Sequence, residues 1–189
     1  RIHHGADDNA SGTAGVLEIA QWLADLKEQG KLDLKRDILF AAWSGEELGL
    51  LGSNHFVEEF AKMIKNDPNA KLGGMFAACL NMDMIGRFNK NLVLQGVGSS
   101  SWWPKEIEKR NAVTSLPIST QNDAHLATDS TTFYLRGIPT LNAFTGAHED
   151  YHMPSDTADK VNHDKAAQIA KFMALVARSI ATSAEAPDY

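Results

Sequence analysis

The stretch MFAACLNMD (residues 75–83) is a continuous apolar run that ends in an acid. A strand with one solvated face alternates apolar and polar residues, whereas a strand covered on both faces is apolar throughout. We therefore predict a buried strand at 75–83, in a sheet with helices packed on both faces. The carboxylate of Asp83 is expected at the carboxyl end of this strand.

Similar strands and helices alternate along the rest of the chain. Further strands are predicted at 37–43 (DILFAAW), 91–97 (NLVLQGV) and 138–144 (IPTLNAF). Apolar residues at helical spacing predict helices at 11–29 and 162–183, and shorter helices at 54–64, 104–112 and 128–137. This order predicts an α/β fold with three layers, αβα, and a mainly parallel central sheet.

Composition narrows the class of protein. The 189 residues are 43% hydrophobic and 22% charged, which is ordinary for a globular protein, and the length favours one domain over residues 1–189. The net charge of -6 argues against a nucleic-acid partner. No apolar run is long enough to predict a membrane span. A single cysteine, Cys79, excludes an internal disulfide and a thiolate cluster for zinc.

Acidic residues and a histidine collect where the predicted strands end or the chain should cross the same edge of the sheet. They are Asp7 and Asp8 before the first helix, Glu46 and Glu47 after 37–43, Asp83, and His152 with Asp156 after 138–144. In open α/β sheets, ligands bind outside the carboxyl ends of the strands. The sequence therefore predicts a site at this edge.

The chemistry of that site is constrained by its charge. Crowded carboxylates repel one another, and a divalent cation removes the conflict. Asp, Glu and His ligands without Cys suit a catalytic zinc with one open position. One aspartate can also bridge two ions that lie about 3.5–4 Å apart.

Taken singly, each of these residues also has an ordinary explanation. Asp7 and Asp8 could cap the first helix and favour its positive end. Glu46 and Glu47 could be acids in the first turn of the next helix, and His152 a surface histidine. If the glutamates lie in extended backbone, their side chains point to opposite sides and can have different roles.

The other histidines are predicted to have no role in the site. They are His3, His4, His55, His125, His148 and His163. His125 is the hardest of them to dismiss, because it shares a loop with two aspartates. His148 precedes an acidic pair and could be a loop group near the site.

Four motifs in order resemble the co-catalytic zinc aminopeptidases, the twenty-eighth metallopeptidase family. They are GADDNASG (5–12), GEELGLLGS (45–53), NMDMIG (81–86) and YHMPSDT (151–157). The resemblance implies a fold of the zinc-exopeptidase (phosphorylase/hydrolase-like) type and hydrolysis of the N-terminal bond of a peptide substrate. Because the family includes secreted bacterial leucyl aminopeptidases, it also implies a secreted or periplasmic location.

The resemblance also implies roles for individual residues. The metal ligands would be Asp8, Glu47, Asp83 and His152, the catalytic base Glu46, and a substrate-binding group Asp129. Asp8 would bridge two zinc ions, Glu47 and His152 would bind one of them, and Asp83 the other. Glu46 would take a proton from the attacking water and deliver it to the leaving amine.

Two further residues in these motifs need comment. Relatives often have an Asp-His pair where this chain has Asp129 and Ser130, so the histidine of that pair is replaced by serine here. Asp156, four residues beyond His152, would support the metal ligands from behind.

The family has a further His-x-Asp motif upstream of GADDNASG, and the residues given begin after it. The resemblance therefore predicts a catalytic domain without its N-terminal strands and with one sheet edge exposed. The complete enzyme would hold two zinc ions. We expect residues 1–189 alone to bind at most one tightly and to have little peptidase activity. His3 and His4 precede the loop, but no metal role is assigned to them.

Three other functions remain open on the sequence. A glutaminyl-peptide cyclotransferase would use the same fold with one zinc. A peptidase-like binding module would have lost catalysis. A carboxypeptidase acting on acidic dipeptides would need basic residues in its pocket, for which Arg87 and Arg136 are the candidates. The sequence does not predict the oligomeric state or the preferred substrate side chain.

Overall fold

The computed structural model describes residues 2–189, which form a sheet between two layers of helix. The strands are β1 (Cys79–Met82), β2 (Leu92–Gln95), β3 (Ile118–Gln121) and β4 (Thr140–Phe144). The helices are α1 (Gly12–Glu28), α2 (Leu51–Lys65), α3 (Trp103–Thr114), α4 (Ser130–Tyr134) and α5 (His163–Thr182). Each helix in this part of the chain is too short or too polar to span a bilayer.

The sheet is mixed, with the strand order β1-β4-β2-β3. β1 runs parallel to β4, and β2 runs parallel to β3. The central pair, β2 and β4, is antiparallel. Because Met82 pairs with Ala143, the carboxyl ends of β1 and β4 meet at one edge. This register brings the loop that starts at Asp83 close to the loop that follows Phe144.

Two apolar cores cover the two faces of the sheet, which confirms the three-layer prediction. Helices α1, α3 and α5 enclose the larger core, in which Trp103, Leu141 and Phe172 are fully buried. Helices α2 and α4 enclose the smaller core, where Val57 and Phe133 pack together. Strands covered on both faces account for the apolar runs in the sequence.

One strand prediction was wrong, and one strand was missed. Residues 37–43 form no strand pairing in the part of the chain that the structure describes. Their apolar pattern is explained by packing alone, since Ile38 contacts the larger core and Trp43 the smaller one, while Leu39 is 62% exposed. Conversely, β3 (Ile118–Gln121) was missed, because an edge strand with three exposed polar residues has no apolar run to mark it.

The long C-terminal helix begins where the sequence predicts. The side chain of Asn162 accepts a hydrogen bond from the backbone N–H of Lys165 at 3.0 Å and so caps α5. The Asn162 N–H also donates to the carbonyl of Gly86 at 2.7 Å. This helix start is therefore joined to the loop that follows β1.

Candidate metal centre

Three loops bring one potential metal ligand each to the edge where β1 and β4 end. Asp8 lies in an irregular helical turn, Ala6–Ser11, in which its own backbone is not helical. Glu47 lies in a single 3-10 turn, Glu46–Leu48. His152 lies in the loop after β4, with a positive φ of 56°. Loops of this kind let side chains converge from distant parts of the chain.

The three side chains converge closely. The His152 Nε2 atom lies 2.6 Å from Glu47 Oε1 and 3.1 Å from Asp8 Oδ2. One ligand atom from each residue lies within 4.8 Å of the others. They line a cavity of about 340 Å³, whose other lining residues are His3, Gly5, Met153 and Asp156. A divalent cation suits this donor set, because two carboxylate oxygens and an imidazole nitrogen face one volume.

The two glutamates occupy a turn between glycines, not an extended segment. Gly45 and Gly49 both have positive φ, 67° and 100°, as the tight turn requires. The extended-backbone premise for the pair was therefore wrong, and so was their assignment to the first turn of α2. The two side chains nevertheless have different surroundings, since Glu47 contacts His152 while Glu46 feels the charge of Asp83 most strongly among its neighbours.

The carboxylates around this cavity repel one another. Burial raises the pKa of Asp83 to about 7, and the nearby charge of Asp8 adds to the shift. Burial also raises the pKa of Glu46 to about 7, with Asp83 and Glu47 as further causes. The pKa of Asp8 is raised as well, first by burial and then by Glu47. A bound cation would favour the ionised form of all of them.

Asp7 does not cap the first helix, so that explanation of the acidic pair was wrong for it. Its side chain is fully buried, and its Oδ1 atom accepts hydrogen bonds from the N–H of Gly86 at 2.6 Å and from Ser11 Oγ at 3.0 Å. Its Oδ2 atom lies 3.0 Å from His148 Nε2. From the sequence, His148 was given no role in the site, although its place before an acidic pair marked it as a loop group that could lie nearby.

Asp156 lies behind Asp8. Its Oδ2 atom accepts hydrogen bonds from the backbone N–H groups of Asp7 at 2.9 Å and Asp8 at 3.1 Å. Its carbonyl accepts from the N–H of Ala6 at 3.2 Å. Asp156 thus fixes the turn that carries Asp8 to the loop that carries His152.

Asp129 lies near Glu46 and Asp83, and a hydrogen bond from Ser53 holds its carboxylate. It precedes α4, where its carboxylate makes no capping bond and instead accepts a hydrogen bond from Ser53 Oγ. Burial raises its pKa, and the bond from Ser53 opposes that shift. Its charge contributes to the raised pKa values of Glu46 and Asp83, so it lies within electrostatic reach of both.

The two arginine candidates do not contribute to the cavity lining. Arg87 pairs with Asp150 at 2.9 Å, and Lys160 pairs with the other oxygen of Asp150 at 2.7 Å. Arg136 follows α4, where its carbonyl accepts from the N–H of Leu72 at 2.8 Å. By contrast His3, which the sequence left unassigned, lines the cavity.

A larger cavity, of about 760 Å³, lies away from the acids. It is lined by residues 73–77, which precede β1, and by residues of the C-terminal tail, so it adjoins the other end of the strand. Its cations are engaged with backbone carbonyls, since Lys65 donates to Lys71 O at 2.8 Å and Lys71 to Leu135 O at 2.7 Å. Size alone therefore does not identify the functional site.

Comparison with known proteins identifies the family. Residues 1–177 match the pattern of peptidase family M28. The chain belongs to peptidase family M28. Among its relatives, the aminopeptidase YwaD of Bacillus subtilis is 27% identical over 179 residues, covering 87% of this chain and 35% of YwaD. The aminopeptidase NAALADL1 of Mus musculus is 41% identical over 93 residues, covering 49% of this chain and 11% of that protein.

Solved structures share the fold of this M28 chain. The LapA aminopeptidase of Legionella pneumophila superimposes with a TM-score of 0.78 at 22% identity, covering 97% of this chain and 48% of LapA. BSAP, a zinc aminopeptidase from Bacillus subtilis, superimposes with a TM-score of 0.72 at 22% identity, covering 93% of this chain and 42% of BSAP. The M28 chain thus spans less than half the length of each of these four proteins.

Proposed function

We propose that the protein is a zinc-dependent aminopeptidase that hydrolyses the N-terminal bond of peptides. The observation that carries this proposal is the convergence of Asp8, Glu47 and His152 on one cavity, beside Glu46 and Asp83 with pKa values raised to about 7. Relatives named aminopeptidases support the reaction class. A single catalytic domain over residues 1–189 and export from the cytoplasm are parts of the same proposal.

The donor set fits a catalytic zinc. Such sites take three protein ligands and leave one position for water or substrate. Asp8, Glu47 and His152 provide three, and Glu47 and His152 have side chains about half exposed, so the cavity is open to solvent. Asp83 is the proposed ligand of a second ion, which it would share with Asp8.

Zinc and Glu46 would have separate roles in the hydrolysis. When bound, zinc polarises the scissile carbonyl and acidifies the attacking water. Glu46 accepts the proton of that water and hands it to the leaving amine. In the metal-free chain, burial and the nearby charge of Asp83 raise the pKa of Glu46 to about 7. A bound cation would favour the ionised form of Glu46, which is the form that a general base requires.

The charge of the cavity favours a substrate amino terminus over a substrate carboxylate. Asp8, Glu47 and Asp156 contribute acids to its described lining, while Arg87 is engaged with Asp150. A bound zinc ion would offset the charges of Asp8 and Glu47, and the remaining acids, Asp156 and the neighbouring Asp129, would attract a protonated amine and repel a carboxylate. We propose that Asp129, whose carboxylate accepts a hydrogen bond from Ser53, helps to bind the substrate.

The test combines metal binding with two assays. The 189-residue chain is titrated with zinc, then assayed for hydrolysis of leucyl-p-nitroanilide and for cyclisation of an N-terminal glutaminyl peptide. We expect tight binding of at most one zinc ion, and weak hydrolysis of the free but not of the N-acetylated leucyl substrate. Glu46→Gln should keep zinc binding and lower kcat by about 10²–10⁴-fold, because the general base is lost.

The outcomes separate the candidate functions. Cyclisation without hydrolysis would favour the cyclotransferase. Zinc binding with neither activity would favour the binding module. A chain that binds no zinc, or a Glu46→Gln variant with full hydrolytic activity, would overturn the proposal.

A further inference from the structure

A fully buried carboxylate lies directly beneath the proposed zinc ligands. Asp7 precedes Asp8 in the chain, and its side chain has no exposed surface. We propose that Asp7 and His148 form a positioning pair that sets the geometry of the metal centre without touching the metal. This inference rests on the proposed zinc site and goes beyond it, because neither residue is a ligand.

One oxygen of Asp7 joins the turn of Asp8 to the loop of Asp83. Oδ1 accepts from the N–H of Gly86, which lies three residues after Asp83, at 2.6 Å. It also accepts from Ser11 Oγ at 3.0 Å. A Cβ atom at Gly86 would lie 2.9 Å from this oxygen, so the loop is packed directly against it. The two carboxylates that would share an ion are therefore fixed through Asp7.

The other oxygen of Asp7 joins the same turn to the loop of His152. His148 Nε2 lies 3.0 Å from Asp7 Oδ2, and the ring is 11% exposed. Since a carboxylate accepts hydrogen bonds, Nε2 is assigned as the protonated nitrogen. The second ring nitrogen, Nδ1, is buried and has no hydrogen-bond partner among residues 2–189. The bond to Asp7 is thus the hydrogen bond that orients this ring.

The backbone transmits the position of Asp7 to Asp8. Asp156 Oδ2 accepts from both of their N–H groups, at 2.9 and 3.1 Å, and so holds the two residues together. A shift of Asp7 therefore moves the Asp8 carboxylate relative to His152. Groups behind metal ligands affect binding in this way, and their loss typically weakens it by about 10–100-fold.

A double-mutant cycle tests the pair. Asp7→Asn, His148→Gln and the double variant are compared with the unaltered 189-residue chain. Zinc affinity is measured by competition with a chromophoric chelator, and ligand geometry by the absorption spectrum of the Co²⁺-substituted protein. We expect each single variant to bind zinc about tenfold more weakly. The Co²⁺ bands should shift, and the double variant should be no weaker than the worse single one, because the two residues act as a unit.

A matched control separates positioning from general stability. Glu106 on α3 is also a buried carboxylate, 4% exposed, and pairs with Arg110 at 2.8 Å. Glu106→Gln should lower the unfolding temperature but leave zinc affinity and the Co²⁺ spectrum unchanged. Asp7 and His148 variants that lose stability yet keep both metal readouts would overturn the positioning role, as would losses that multiply in the double variant. If the unaltered chain bound no zinc, the proposed function would fail and this inference with it.

Discussion

Glu46 and Asp83 show how far the fold changes the chemistry of single residues. Their carboxyls have pKa values raised to about 7, compared with ordinary values of 4.5 and 3.8. Burial is the main cause in both cases, and the proximity of other acids is the second. In a metal-free chain, these residues therefore retain protons at pH values where exposed acids have lost them.

This difference predicts that the metal-free chain loses stability as the pH rises from about 4 to above 7. In this window the folded chain binds more protons at Glu46 and Asp83 than the unfolded chain, so the free energy of unfolding falls with increasing pH. The contribution is fully present below the ordinary pKa values and is lost above about 7. Urea unfolding in a chelator, between pH 5 and 8 at constant ionic strength, measures the change.

A variant identifies the source of that pH dependence. Asp83→Asn should make the free energy of unfolding depend less on pH. Only Glu46 would then retain a proton in the folded chain that the unfolded chain has lost. Asp150, Asp159 and Asp188 have lowered pKa values, so their opposite effect lies below about pH 4 and outside the tested range. A profile that is flat, or that rises with pH, in the unaltered chain would contradict the prediction.

The sequence predicted the residues of the site better than the contacts among them. Asp8, Glu47 and His152 were expected together and do meet, because each follows or precedes an element whose type the sequence reveals. The contact between Asp7 and His148 was not predictable. It depends on how two irregular loops pack, and neither hydrophobic periodicity nor charge spacing describes such loops.

Among the secondary-structure elements, α5 has the clearest start signal. Asn162 precedes the apolar pattern of the helix and accepts the N–H of Lys165. The segments 37–43 and Ile118–Gln121 show the opposite situation. An apolar run can be buried without strand pairing, and a polar strand can pair without an apolar run. Strand assignment from one sequence depends on the neighbouring strand, which the segment itself does not reveal.

The α5 cap yields a prediction of modest size. Asn162→Ala should lower the free energy of unfolding by about 1 kcal/mol, because the first turn of the helix loses its side-chain acceptor. For a domain of this length that corresponds to a melting temperature about 2–4 °C lower, measured by circular dichroism. Asn162→Ser is the matched control, since serine also caps helices and should retain most of the stability. Equal melting temperatures for all three proteins would show that the cap contributes little.

At the scale of the whole molecule, the proposed metal centre joins segments that lie far apart in the sequence. Asp8 precedes α1, Glu47 precedes α2, and His152 lies between β4 and α5. Ligand binding to a folded state stabilises it by mass action. A cation held by all three residues would therefore stabilise the entire domain.

Zinc should raise the melting temperature of the 189-residue chain. At a free concentration 100 times Kd, binding contributes about 2.7 kcal/mol, provided that the unfolded chain does not bind. This corresponds to a rise of about 5–10 °C at the sensitivity typical of domains of this size. Differential scanning fluorimetry with and without zinc measures the rise, and EDTA should reverse it.

A ligand variant provides the comparison for the zinc effect. His152→Ala should melt near the metal-free temperature whether or not zinc is present, because one of the three proposed ligands is missing. Glu106→Gln, on α3 and outside the cavity lining, should retain the full rise. An equal rise in the His152→Ala variant would place the bound zinc elsewhere.

The separation of the ligands along the chain has a consequence for folding kinetics. Glu47 and His152 are 105 residues apart, and Asp7 and His148 are 141 apart. Contacts between such distant residues close the longest loops and tend to form late. The zinc site would then be absent from the folding transition state. Interactions that form after the transition state slow unfolding and leave the folding rate nearly unchanged. Bound zinc would thus prolong the lifetime of the folded chain and would not nucleate its folding.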